Sequence, residues 1–337
     1  MTSRLVVIAR VALGALVGFW LIAPPLMVEA QPAAGSGRIG LLWTASPALV
    51  SALREGLLHG LRESGYVAGQ NLTVTDRYAE GETERLRDLA AALVQQRVAV
   101  IVTQGTPAAL AAKAATTTIP IVMTQVGDPV GSGLIKSLAG ANGNITGVAN
   151  LAADISAKRL QLLGELLPKL SRVTAIVDAT PAGVRGDPYG RRATEDAGRR
   201  LGLSVQMVTV RGPADLASAF DAAEKFRAEA LVVLPAPILA RHTQSLIDLA
   251  AKHRLPAMYP STEFTDAGGL IAYGPNNVAL FSRAGLLVGQ ILKGAKPTDL
   301  PVEQPTKLEL GINTRPAKAL GLTIPPSVLL RADKITE

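Results

Sequence analysis

An α/β fold in two successive layers follows from three features of the sequence. Val98–Val102 is a β-branched run and Ile119–Met123 a second apolar one, the pattern of strands buried on both faces. Between them Ala108–Ala115 forms helix readily and contains few breakers. Strand, crossover helix and strand make a unit with parallel strands. That alternation fills residues 38–148 and restarts after them.

In the first layer, Arg38–Trp43 reads as a strand and Ala48–Ser64 as an amphipathic helix closed by Gly65. Asn71–Arg77 alternates as a strand, and Thr83–Gln96 is a helix. In the central unit Thr106 is placed to cap a helix whose first position suits Pro107. Gly131–Leu138 is expected as a short helix and Asn144–Val148 as a strand, completing one Rossmann-like lobe.

In the second layer, Asp154–Leu167 is a helix and Arg172–Val177 a strand. A Gly/Pro-rich loop, Thr180–Tyr189, leads to a helix at Gly190–Leu201. Ser204–Val210, Ala230–Leu234 and Leu255–Tyr259 are strands, separated by helices at Pro213–Phe226 and Ile238–His253. Pro260–Phe264 is a loop. Gly269–Tyr273 and Lys307–Asn313 are further strands, with helices at Asn276–Leu292 and Arg315–Leu320. Two lobes with the chain crossing more than once fit this order better than one continuous sheet of ten or more strands.

Composition narrows the class. Hydrophobic residues make up 48% of the 337 residues and aromatics only 4%, so the core is aliphatic. There is no cysteine, which removes thiol catalysis, cysteine zinc sites and a lipid-modified N-terminal Cys. Arg4 and Arg10, the apolar run Val11–Ala23 and Val28-Glu29-Ala30 read as a signal peptide over residues 1–30, which places the mature protein in the periplasm. The competing membrane anchor is disfavoured because the run is shorter than the ~20 residues that span a bilayer. The net charge is +7, yet no Lys/Arg run exceeds two residues. The charge therefore reads as a solvated surface, and no nucleic-acid partner is expected.

Signals of catalysis are weak. His59, His242 and His253 fall in predicted helices. No GxSxG, HExxH, P-loop or GxGxxG pattern occurs in a fitting context, so no cofactor, metal or enzymatic activity is expected. Binding is better supported, because open α/β sheets take ligands at the carboxyl ends of their strands. In the first lobe that edge carries Trp43, Thr44, Ser46, Gln104, Gly105, Thr106, Gln125, Gly127 and Asp128. In the second it carries Asp178, Asp187, Tyr189, Pro235, Tyr259 and Glu263. Helix starts after Gly105 and Gly127 suit a carboxylate. Asp178, Asp187 or Glu263 suits an ammonium, and the aromatic rings suit an apolar body.

Several stretches in this order resemble one family. They include Gly105-Thr106-Pro107-Ala108, Ile119-Pro120-Ile121-Val122 with Gly127-Asp128-Pro129-Val130, and Asn144-Ile145-Thr146-Gly147. Lys158-Arg159-Leu160, Tyr273-Gly274-Pro275 and Leu292-Lys293-Gly294-Ala295-Lys296-Pro297 continue the series. The chain resembles the ABC-transporter substrate-binding family with the type I periplasmic binding protein fold, and within it the binders of tryptophan and other aromatic amino acids. The resemblance implies lobes at 38–148 plus 270–300 and at 149–269 plus 301–337, joined by a three-crossover hinge and closing over a small ligand. It implies a monomer that delivers that ligand to an ABC permease in the inner membrane. A ligand sensor for a membrane receptor is the alternative on the same fold, and a secreted α/β enzyme the third reading. Two loops depart from the family pattern, Asp178-Ala179-Thr180-Pro181 and Pro235-Ala236-Pro237, where relatives often carry Asn-Pro and Asp.

Overall fold

The computed structural model describes residues 37–140, 143–150, 152–179, 187, 189–305 and 307–337. The first sheet has the order β2-β1-β3-β4-β5 and is wholly parallel. Its strands are β1 (Gly37–Trp43), β2 (Leu72–Tyr78), β3 (Val100–Gln104), β4 (Ile121–Val126) and β5 (Ile145–Ala149). Helices α1 (Pro47–Glu63), α2 (Leu86–Gln95) and α3 (Gly105–Ala115) connect them. The central strands are buried along nearly their whole length, as their unbroken apolar runs require.

The second sheet has the order β12-β11-β10-β9-β8-β6-β7 and is parallel except for the β10–β11 pair. It comprises β6 (Arg172–Asp178), β7 (Ser204–Val210), β8 (Ala230–Val233), β9 (Ala257–Tyr259), β10 (Ile271–Pro275), β11 (Leu308–Asn313) and β12 (Lys334–Thr336). Its helices are α4 (Ala152–Leu166), α5 (Arg191–Arg200), α6 (Ala214–Lys225), α7 (Pro237–Arg241), α8 (Thr243–Lys252) and α9 (Thr262–Asp266). After α10 (Asn277–Leu292) come α11 (Thr314–Leu320) and α12 (Pro326–Leu329).

The chain passes between the sheets three times: after β5, between β10 and α10, and before β11. The crossings are tied to one another. Asn276 caps α10 by accepting from the Ala279 N–H at 2.8 Å and donates to Glu309 of β11 at 2.8 Å. Glu303 pairs by its backbone with β5 through the Ala149 N–H at 2.8 Å, and its carboxylate receives two bonds from Arg283 of α10, each 2.6 Å. The segment expected at 270–300 in the first lobe thus divides. Strand β10 belongs to the second sheet, whereas α10 packs on the first.

Helix α10 sits close on α1 because both are notched. Gly56 and Gly60 line one face of α1, and Gly285 and Gly289 one face of α10. A Cβ on Gly60 would overlap the Ser282 carbonyl, and one on Gly285 the Leu57 carbonyl.

Other local expectations change. Residues 131–138 form turns rather than a helix: Asp128 caps a single turn by accepting from the Gly131 N–H at 2.8 Å, and Gly133, at φ +75°, ends it. The helix expected at 238–253 breaks at His242 (φ −112°, ψ 28°), and the loop after Tyr259 contains α9. Thr106 lies within the first turn of α3, where Gln104 holds the cap position.

Two substitutions test this packing. Gly60→Val is expected to lower stability by about 3 kcal/mol, because the contact is against backbone and cannot relax. Gly164→Ala, in α4 with nothing within 4 Å of the new Cβ, is expected to raise it by about 0.5–1 kcal/mol. Urea unfolding midpoints at constant slope read both.

Candidate functional site

The carboxyl ends of strands from both sheets meet at a cavity of about 260 Å³. From the first lobe it is lined by Thr44 and Ala45 after β1, Gln104 at the end of β3 and Gly105 after it, Gln125 near the end of β4 and Gly127 after it, and Asn150 after β5. Gln125 is held by a local distortion. The β4–β5 register shifts between Thr124 and Val126, and Gln125 takes φ +54° in the left-handed region. Such a bulge re-aims a side chain at some cost in strain. Next to it, Gln104 Oε1 accepts from Thr44 Oγ1 at 3.1 Å and from the Ala45 N–H at 3.3 Å. Its amide Nε2 makes no hydrogen bond among the described residues.

The second lobe contributes Leu234, Pro235, Ala236 and Pro237 after β8, then Pro260, Ser261, Glu263 and Phe264 after β9. Helix α4 supplies Ile155 and Arg159, and the start of α10 supplies Asn277. Arg159 is 2% exposed. Its Nε donates to the Tyr273 carbonyl at 2.7 Å and its Nη2 to the Pro260 carbonyl at 3.0 Å. Burial pulls its pKa down to about 10, so it stays charged at neutral pH. Among the described residues no carboxylate pairs with it. Asn150 Oδ1 is likewise buried without a partner among the described residues.

Of the loop residues singled out from sequence, Thr44, Gln104, Gly105, Gln125, Gly127, Pro235 and Glu263 line this cavity. The others lie outside its lining, each for a visible reason. Trp43 is 1% exposed, donates through Nε1 to Asp76 at 2.9 Å and stacks on Phe281 at 5.4 Å. Tyr259 is buried against Phe264 at 5.0 Å, and Tyr189 is buried in the same core cluster. Burial raises the pKa of both phenols. Ser46 stands at the N-cap position of α1 with no side-chain cap bond, and Thr106 is fully buried.

Asp128 and Asp187 meet at the seam between the lobes instead. Asp128 Oδ2 accepts from the Asp187 N–H at 2.8 Å, and Asp187 Oδ2 accepts from the Ala193 N–H of α5 at 2.9 Å. On another edge of the seam, the Arg241 guanidinium lies over Gly81 so closely that a Cβ there would overlap it. The histidines stand in or beside helices: His59 within α1, His242 between α7 and α8, and His253 at the end of α8.

Arg159, Asn150 and Asn277 were not singled out as site residues. A signal for Arg159 is present: it falls four residues after Ile155 and four before Leu163, on the buried stripe of α4. A cation on that stripe is a buried cation.

Asp178, at the end of β6, is half-buried, and burial pushes its pKa up to about 6 against the pull of the Ala179 N–H. The unfolded carboxyl ionises near ~3.9, so between about 4 and about 6 the native chain binds more protons than the unfolded one. Stability contributed by this group therefore falls as pH rises through that window. Asp178→Asn is expected to gain stability over the parent at pH 7 and to lose that advantage at pH 4, measured by urea unfolding.

The model of the family described as ABC transporter substrate binding protein matches residues 43–336. A protein of Clostridioides difficile described as tyrosine-binding is 27% identical over 275 residues, covering 80% of this chain and 76% of that one. A crystal structure of a conserved domain protein from Vibrio cholerae O1 biovar El Tor superposes with a TM-score of 0.83 at 27% identity, covering 89% of this chain and all of that one. A structure from Streptococcus pneumoniae in complex with L-Trp superposes with a TM-score of 0.78 at 26% identity, covering 88% and 99%. The two-lobed sheets, the cavity between them and these matches lead to one conclusion: the chain belongs to the ABC transporter substrate-binding protein family and has the type I periplasmic binding protein fold.

Proposed function

We propose that this protein is the extracytoplasmic binding component of an ABC uptake transporter. It captures a small molecule between its lobes in the periplasm, after cleavage of the signal peptide, and presents it to an inner-membrane permease as a monomer. The ligand is an amino acid or another small carboxylate, and it leaves chemically unchanged. One observation carries the reading: a fully buried guanidinium without an acidic partner among the described residues lines a cavity reached by both lobes. An uncompensated charge is costly to bury, and a bound anion offsets that cost. The relatives described as tyrosine-binding and as a complex with L-Trp support a ligand of this size and polarity. Closure then follows from ligand contacts made to both lobes at once.

Native mass spectrometry of the periplasmic protein, followed by calorimetry with whatever co-purifies, tests this. One ligand per chain is expected, released unaltered, with the thermal midpoint rising with ligand concentration. Recovery of a converted product would overturn the non-catalytic reading. Gln125→Gly, which removes the cavity amide while relieving the left-handed strain, is expected to keep the ligand-free midpoint and to weaken binding about tenfold. Calorimetry reads the second effect and a thermal melt the first.

A further inference from the structure

We propose that the cavity selects a monocarboxylate with an apolar body and a neutral hydroxyl, in preference to the α-amino acid of the same skeleton. This rests on the binding reading above and adds the charge state of the ligand. The balance of charge around the cavity carries it. Arg159 brings one buried positive charge, with bonds to two carbonyls and to no carboxylate among the described residues. A monocarboxylate neutralises it. An α-ammonium stands one carbon from its carboxylate, so docking an amino acid on Arg159 places a second cation in the same dry region.

Among the described lining residues the one acid is Glu263, which is exposed and accepts from Asn277 Nδ2 at 3.4 Å. A solvated carboxylate at the rim offsets little. Asp128, in the loop after β4, has one oxygen on the Gly131 N–H and the other on the Asp187 N–H. The loop after β8, Pro235-Ala236-Pro237, brings no acid.

The second polar requirement is neutral. Asn150 Oδ1 is buried and unpartnered among the described residues, while its backbone N–H is fixed on the Val126 carbonyl at 2.8 Å. An amide oxygen there accepts a hydroxyl proton without needing a charged donor. Leu49, Leu53, Ile155, Leu234, Pro237 and Phe264 supply an apolar wall for the rest of the ligand.

The test uses the mature chain, calorimetry and matched probes: L-3-phenyllactate, L-phenylalanine, 3-phenylpropanoate and 2-phenylethanol, with 2-hydroxy-4-methylpentanoate and L-leucine as an aliphatic pair. Each hydroxy acid is expected to bind at least tenfold tighter than its amino acid, the alcohol lacking a carboxylate not to bind, and 3-phenylpropanoate to fall between. Asn150→Ala is expected to bring phenyllactate down to phenylpropanoate and leave phenylpropanoate unchanged. Asn150→Asp is expected to reverse the order in favour of phenylalanine. Arg159→Gln is expected to abolish binding of all the acids, and the two Asn150 variants keep the proposal testable if that variant does not fold. Amino acids binding as tightly as hydroxy acids, or an unchanged order in Asn150→Asp, would overturn the selection and leave the binding reading standing. A chain that binds no probe and carries no co-purifying small molecule would overturn both.

Discussion

Arg159 carries its charge into the interior with carbonyl oxygens as partners, and three elements converge on it. It rises from α4, just past the first crossing, and holds the carbonyls of Pro260, after β9, and Tyr273, within β10. The second crossing leaves directly after β10. The same guanidinium therefore spans the root of the hinge and lines the cavity. Gly274 makes room for it: a Cβ there would overlap the Pro260 carbonyl and stand 3.2 Å from Arg159 Nη2. Carbonyl dipoles tolerate a buried cation without neutralising it.

The first lobe supplies one half of the cavity. Its loops issue from strands buried on both faces, and the β3 and β4 ends are stitched by Thr124 Oγ1 donating to the Thr103 carbonyl at 2.7 Å. Glycine-to-backbone contacts hold α10 against α1, so the element returning from the second crossing docks in one register. Against this frame the Asp128–Asp187 bond and the Arg241–Gly81 contact join the lobes at the seam. Each amounts to a surface-scale interaction that solvent can replace.

Much of this order was legible in the residues. Buried parallel strands announce themselves as short apolar runs, and their common direction places the loops after them on one edge. That is why the loop residues Thr44, Gln104, Gly105, Gln125 and Gly127 come together along the cavity. Trp43 and Tyr259 lie outside the cavity lining because each is the last residue of its strand and turns into the core. Trp43 packs under α10 against Phe281, a partner far along the chain. Tyr259 packs on Phe264 of a helix that reads locally as a loop. The helix expected at 131–138 gave way to turns because Gly133 takes a left-handed conformation one turn after the Asp128 cap. Arg159 was hidden by its type, since a lone arginine in a helix ordinarily faces water, and only its phase on the apolar stripe distinguishes it.

The helix that completes the first lobe is encoded after β10 of the second. A chain emerging from a ribosome or a translocation channel delivers β1 to β5 early, but the faces of β3, β4 and β5 that α10 covers stay bare until α10 follows. Leu280, Phe281, Ala284 and Leu287, all buried in the finished protein, are the missing side of that core. The first lobe therefore cannot complete its core before α10 is made, and until then its bare strands remain open to aggregation or chaperone capture.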